Sequence, residues 1–164
     1  MMSIFFQNNR TFVTLSPKEA KKGDIIKPQK TKKRRHRKMC KSKFYICEKC
    51  GNLVGMINES GVRMVCCGQK MTELVPGTVE ASREKHIPVA EVIGDTVKVK
   101  IGSVEHPMSE DHSILWVYLQ TENGGQRKCL KVGAPPEVTF ALGGEKPIAV
   151  YAYCNLHGLW KADL

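Results

Sequence analysis

Cys154-Asn155-Leu156-His157 closes the chain's last apolar run, Pro147 to Tyr153, and sets a thiol and an imidazole three residues apart. His86, His106 and His112 stand upstream, so four of the five histidines could join Cys154 around one transition metal. Imidazole suits iron, copper, nickel and zinc, and a thiolate disfavours hard cations. Five protein ligands on an octahedral metal leave one position open, and an open position on a redox metal is a place for chemistry. A blue-copper electron carrier is the competing reading, but its His2Cys set takes a weak axial Met. No Met follows Met108, and two histidines would be left over.

A second group is Cys47-x2-Cys50-x15-Cys66-Cys67. Four thiolates from two short loops make a tetrahedral S4 site, suited to zinc or to a single iron. The C-x-x-C half is an ordinary chelating knuckle. The adjacent pair is less usual, because neighbouring side chains reach one metal only where the backbone bends sharply. A zinc ribbon remains open on spacing alone. Seven cysteines, an odd number with paired spacings, fit metal ligation better than a disulfide framework and point to a reducing cytoplasm. Of the other two, Cys129 reads as a small buried hydrophobe on a strand, and Cys40 as a bystander.

Short strands must position these groups. In residues 44–80, Phe44 to Ile46, Asn52 to Ile57 and Gly61 to Val65 read as three strands, too few to build a core without a metal. Leu74 to Gly77 reads as the exit. From residue 81 onward, Val89 to Ile93 and Thr96 to Ile101 flank a Gly94-Asp95 turn; the second alternates Val97, Val99 and Ile101 with Lys98 and Lys100. Ile114 to Thr121 is almost wholly apolar and reads as a central strand. Asn123-Gly124-Gly125 signals a hairpin into Gln126 to Val132. Glu137 to Leu142 and Pro147 to Tyr153 follow. About seven short antiparallel strands in residues 81–164 predict an all-β, immunoglobulin-like sandwich, whose end loops would let the ligand segments converge. His86 falls at a strand start, and no long helical periodicity appears.

Charge is distributed unevenly. Residues 1–43 carry 14 Lys and Arg against 2 Asp and Glu, while residues 44–164 carry 12 against 14. The net charge of +10 therefore belongs to the tail, most of it in Lys30 to Lys38 around His36. With little apolar surface to offset ordering entropy, the tail is expected to be disordered. A solvated leader or an upstream start is preferred to a nucleic-acid arm. No run of about 18 apolar residues predicts a transmembrane helix, and Met1 to Phe6 lacks the parts of a secretory signal.

Several segments together resemble desulfoferrodoxin, the two-iron superoxide reductase family. They are Tyr45 to Asn52, Cys66-Cys67-Gly68, Glu84 to Val89, Glu105 to Met108, His112 to Ile114 and Tyr153 to Trp160. The likeness runs in unbroken order over residues 44–164. It implies two iron ions per chain. Cys47, Cys50, Cys66 and Cys67 would hold a rubredoxin-like iron in a small desulforedoxin-like domain, residues 44–80. His86, His106, His112 and His157 would be equatorial ligands of a catalytic iron in residues 81–164, with Cys154 axial. Glu84 would fill the sixth position in the resting ferric state, and Lys85 would be the cation beside the open face. The implied reaction reduces superoxide to hydrogen peroxide, with a rubredoxin-like electron donor and a homodimeric protein. Two rival classes predict otherwise: a zinc-ribbon nucleic-acid module would bind zinc, and a pure electron carrier would have two closed metals.

Overall fold

In this computed structural model the structure describes residues 41–164. Cys40, His36 and the basic block lie outside the described residues. Lys43, assigned from sequence to the tail, instead begins the first strand, and its ammonium bonds the Glu59 carboxylate at 2.7 Å.

The cysteine-rich segment holds five short strands: β1 (Lys43–Ile46), β2 (Leu53–Met56), β3 (Val65–Cys66), β4 (Gln69–Lys70) and β5 (Thr72–Glu73). β1 lies between β2 and β5, and β3 pairs with β4 in a two-stranded sheet. The expected strand from Gly61 to Val65 is corrected to Val65–Cys66, and β4 and β5 were not foreseen. Two-residue strands carry no readable period. The β3–β4 hairpin turns over Cys67 and Gly68, at φ 50° and 75°, a pair of left-handed residues that reverses the chain in two positions. Here is the sharp bend that adjacent cysteines required.

One helical turn, α1 (Arg83–His86), follows, so His86 ends a helix rather than starting a strand. Pro88 stops that turn by holding Ile87 extended at φ −68° and ψ 124°. Seven strands then form two antiparallel sheets: β6 (Pro88–Ile93), β7 (Thr96–Ile101), β8 (Ile114–Thr121), β9 (Gly125–Cys129), β10 (Glu137–Ala141), β11 (Pro147–Cys154) and β12 (Gly158–Asp163). The sheet orders are β10-β7-β6 and β12-β11-β8-β9. This is a sandwich of immunoglobulin-like type, with its fourth strand on the sheet of the third. β12 was not foreseen; it folds back on β11 from Ala149 to Cys154.

Val97, Val99 and Ile101 of β7 meet Val117, Leu119, Phe140, Val150 and Ala152 between the sheets. The opposite face of β8 and β11 is also covered: Trp116 and Tyr151 pack with Phe44 from β1. Burial on both faces explains why β8 is nearly all apolar. A bulge at the start of β8 sets Cys154, the last residue of β11, opposite Ile114. Both residues thus point into the core beside the ligand loops. Cys129 is not the buried hydrophobe expected: it is exposed on edge strand β9.

Candidate metal centres

His86, His106, His112, Cys154 and His157 each offer one ligand atom, and these atoms all lie within 4.8 Å of one another. Their elements meet at one end of the sandwich: α1 gives His86, the β7–β8 connection gives His106 and His112, the end of β11 gives Cys154, and the β11–β12 turn gives His157. Gly102 lets α1 sit against that connection. At φ 81°, a Cβ there would come 2.3 Å from Val104 O and 2.6 Å from Lys85 O. Val104 N–H donates to Glu84 O at 3.1 Å across the same gap.

The four rings close a square. His86–His106, His106–His112, His112–His157 and His157–His86 have centroids 4.7, 4.6, 4.8 and 4.7 Å apart, each neighbour nearly perpendicular to the last. Across the diagonal, His86 and His112 are 6.1 Å apart. Cys154 Sγ, 3.6 Å from His157 Nδ1, completes the set. His86 Nδ1 donates to Ser82 O at 2.7 Å and His106 Nδ1 to Pro107 O at 2.6 Å. A carbonyl only accepts, so each Nε2 carries a lone pair aimed inward.

The ligand set fits a metal on three observations. His106 Nε2 and His112 Nε2 are buried without a hydrogen-bond partner, a costly state that a cation relieves. His86 Nε2 and His157 Nδ1 stand 3.0 Å apart, as do two nitrogens about 2.1 Å from a shared centre at right angles. Burial holds His86 and His112 below the usual imidazole range and His106 at about 4, so the rings are neutral ligands at pH 7. Burial raises the Cys154 thiol, while the N–H groups of His157 and Leu156 favour its thiolate.

Cys47, Cys50, Cys66 and Cys67 form the second group, also within 4.8 Å. Cys50 Sγ–Cys66 Sγ and Cys66 Sγ–Cys67 Sγ are 3.7 and 3.9 Å, near the ~3.8 Å edge of a tetrahedron with bonds of ~2.3 Å. Cys47 is buried, whereas Cys50 and Cys67 are exposed. The Cys50 N–H lowers Cys47 to about 7, yet the Cys50, Cys66 and Cys47 sulfurs push Cys67 up to about 12. Four thiolates so close ionise together only around a cation.

Two family models match, Desulfoferrodoxin over residues 78–163 and Desulfoferrodoxin, N-terminal domain over residues 40–74. The chain belongs to the desulfoferrodoxin family. It is 44% identical to the desulfoferrodoxin of Syntrophotalea carbinolica, over 75% of this chain and 97% of that one. Identity to the Nitratidesulfovibrio vulgaris desulfoferrodoxin is 42%, over 73% and 94%. The crystal structure of the superoxide reductase from Treponema pallidum is similar at TM-score 0.64 and 44% identity, over 75% of this chain and 99% of that one.

Two expected residues lie outside the ligand group. Glu84 is exposed on α1, its carboxylate held by the Ser82 hydroxyl, which keeps it below the usual carboxylate range. Lys85 is exposed and lines an open cavity of about 600 Å³ with Glu105, His106 and Pro107. Sequence reasoning missed Trp160. Its ring stacks on His86 at 4.8 Å, and its Nε1–H donates to His157 O at 3.0 Å. It closes the family-like segment Tyr153 to Trp160, three residues beyond His157, but was given no role there.

Proposed function

We propose that this chain is a superoxide reductase, reducing superoxide to hydrogen peroxide at the His4Cys centre. The observation that supports it most is the square of four imidazoles with Cys154, beside an open cavity that Lys85 shares with His106. Both centres are iron centres, one tetrathiolate and one His4Cys. Iron at the second supplies the single electron that, with two protons, converts superoxide to hydrogen peroxide.

The chain's own residues would do the rest. The Lys85 ammonium would draw a small anion into the cavity and stabilise its negative charge there. Glu105 on the same wall opposes that attraction. Cys154 as a thiolate gives electron density to a metal, the lever that thiolate ligation supplies in haem proteins. Glu84, kept ionised by Ser82, is no proton source while so held, and water in the open cavity is left to deliver the protons. Freed from Ser82, its carboxylate would be available as a further ligand between turnovers.

The same reading divides the chain into residues 44–80, for the tetrathiolate iron, and residues 81–164, for the reaction. Each turnover consumes one electron, so an external donor is required, and we assign a rubredoxin-like carrier. A homodimer in a reducing cytoplasm, removing superoxide there, completes the proposal. The thiol-rich ligand sets support the compartment.

The test uses the full chain loaded with iron. Metal analysis should give two irons per chain, and rapid mixing with superoxide should yield hydrogen peroxide without dioxygen. Dioxygen release would indicate dismutation instead, and superoxide decay at the uncatalysed rate would reject the assignment.

A further inference from the structure

Three of the four imidazoles have a visible reason for standing where they do. His86 and His106 are each fixed through Nδ1 on a carbonyl oxygen. His157 sits in the β11–β12 turn, its carbonyl bonded by Trp160 Nε1–H. His112 differs. Among the described residues its Nδ1 has no carbonyl partner, and its Nε2 is buried and unpaired. Its ring must therefore be aimed by its main chain.

That main chain is gripped from both sides. Asn155 Oδ1 accepts the Ser113 N–H at 2.9 Å, and Asn155 Nδ2 donates to Asp111 O at 2.8 Å. The Asn155 N–H donates to Ser113 O at 3.2 Å. All three bonds fall on the residues flanking His112. On the other side, Ser109 closes a turn on His112 itself: Ser109 N–H donates to His112 O at 3.0 Å, and His112 N–H donates to Ser109 Oγ at 3.2 Å.

We propose that Asn155 is the positioning residue of His112: its side-chain amide clamps the peptide groups before and after that ligand and locks them to the turn carrying Cys154. The chemistry requires an amide. One side chain must donate to a carbonyl and accept from an N–H at the same time, with both atoms on one short planar group. Aspartate keeps the acceptor and loses the donor, and serine is too short to span the two peptides. Cys154 Sγ is 3.9 Å from Asn155 Oδ1, so the clamp joins two ligands of one centre. Such outer partners hold first ligands in place and are worth about 10–100-fold in metal affinity.

This inference rests on the reading that the five-residue group holds iron, so the unaltered full chain is loaded first. Absence of the second iron there would sink that reading, not this one alone. Iron-loaded Asn155→Ala and Asn155→Asp are then compared by the rate of iron loss to a chelator and by the thiolate-to-iron absorption of the His4Cys centre. The tetrathiolate bands serve as an internal control. Asn155→Ala should release the His4Cys iron about 10-fold faster or more and shift its band, with the tetrathiolate bands unmoved. Asn155→Asp should fall between. A band shift in protein that still holds its iron is something a merely structural role would not produce. If Asn155 acts through His112, adding Asn155→Ala to His112→Ala should change the band no further. Unchanged release and an unchanged band in Asn155→Ala would overturn the proposal. So would an aspartate variant equal to the unaltered chain, or a full Asn155 effect persisting without His112. Should the alanine variant fail to fold, the aspartate variant decides.

Discussion

The ring of Phe44 lies 5.1 Å from that of Trp116, tilted by 42°, and meets Tyr118 and Tyr151 edge-on at 5.4 and 5.6 Å. Phe44 belongs to β1, which three residues later delivers Cys47. Trp116 belongs to β8 and stacks on Tyr153, the neighbour of Cys154. One aromatic side chain thus fastens the tetrathiolate segment to the outer face of the sheet that carries the other centre.

Phe44→Ala should cost about 3–5 kcal/mol, the usual loss for a buried phenylalanine. The tetrathiolate segment should loosen first, seen as faster proteolysis between residues 75 and 80, while the His4Cys absorption persists. Unchanged cleavage would mean that the other contacts of β1 suffice.

The apoprotein should weaken on acidification. Burial sets His106 at about 4 and lowers His86 and His112 from the ordinary 6.5. Above pH 6.5 these rings are neutral in both folded and unfolded chains. As pH falls below 6.5, only the unfolded chain takes up the protons, so stability drops until His106 itself titrates near pH 4. Thermal melts of apoprotein from pH 7 to pH 4 should show Tm falling by several degrees, and His106→Asn should flatten the slope. A level profile would contradict the burial argument.

Lys85 and Glu105 line one cavity with opposite charges, so their substitutions should act in opposite directions. Lys85→Ala should slow the second-order reaction with superoxide several-fold at low salt, and Glu105→Gln should speed it. Both differences should shrink as ionic strength rises. Equal rates for all three proteins at low salt would remove steering from the mechanism.

Both ligand groups were legible because histidine and cysteine spacings survive without knowledge of the fold. β7 and β8 were also legible, since an alternating strand and a strand buried on both faces leave distinct patterns in six to eight residues. β4 and β5 have two residues each and leave none. Cys129 was misplaced because burial on an edge strand depends on what covers it. Opposite Trp116 on β9, nothing among the described residues does. Asn155 was hidden in plain view between two ligands, for its importance lies in Asp111 and Ser113, more than 40 positions away.

Cys154→Ser should abolish the thiolate-to-iron absorption of the His4Cys centre and reduce superoxide turnover to background, while the tetrathiolate bands remain. The two ligand groups share no residue. Loss of both chromophores together would show that the centres are not independent.

Gly102→Ala tests whether the backbone of α1 positions the reaction. The added Cβ would meet Val104 O at 2.3 Å, Lys85 O at 2.6 Å and Glu84 O at 2.8 Å, all main-chain atoms with no side-chain freedom to give way. The φ of 81° adds strain of its own. α1 must therefore move away from the β7–β8 connection, carrying Lys85 and His86 with it. His86 would then leave its 3.0 Å approach to His157 Nδ1. The expected outcome is iron lost from the His4Cys centre with the tetrathiolate iron retained, and superoxide turnover falling at least 10-fold, since displacement by about 1 Å costs a site that much or more. Full iron content and normal turnover in Gly102→Ala would show that the turn accommodates a side chain, and that α1 is placed by its own contacts instead.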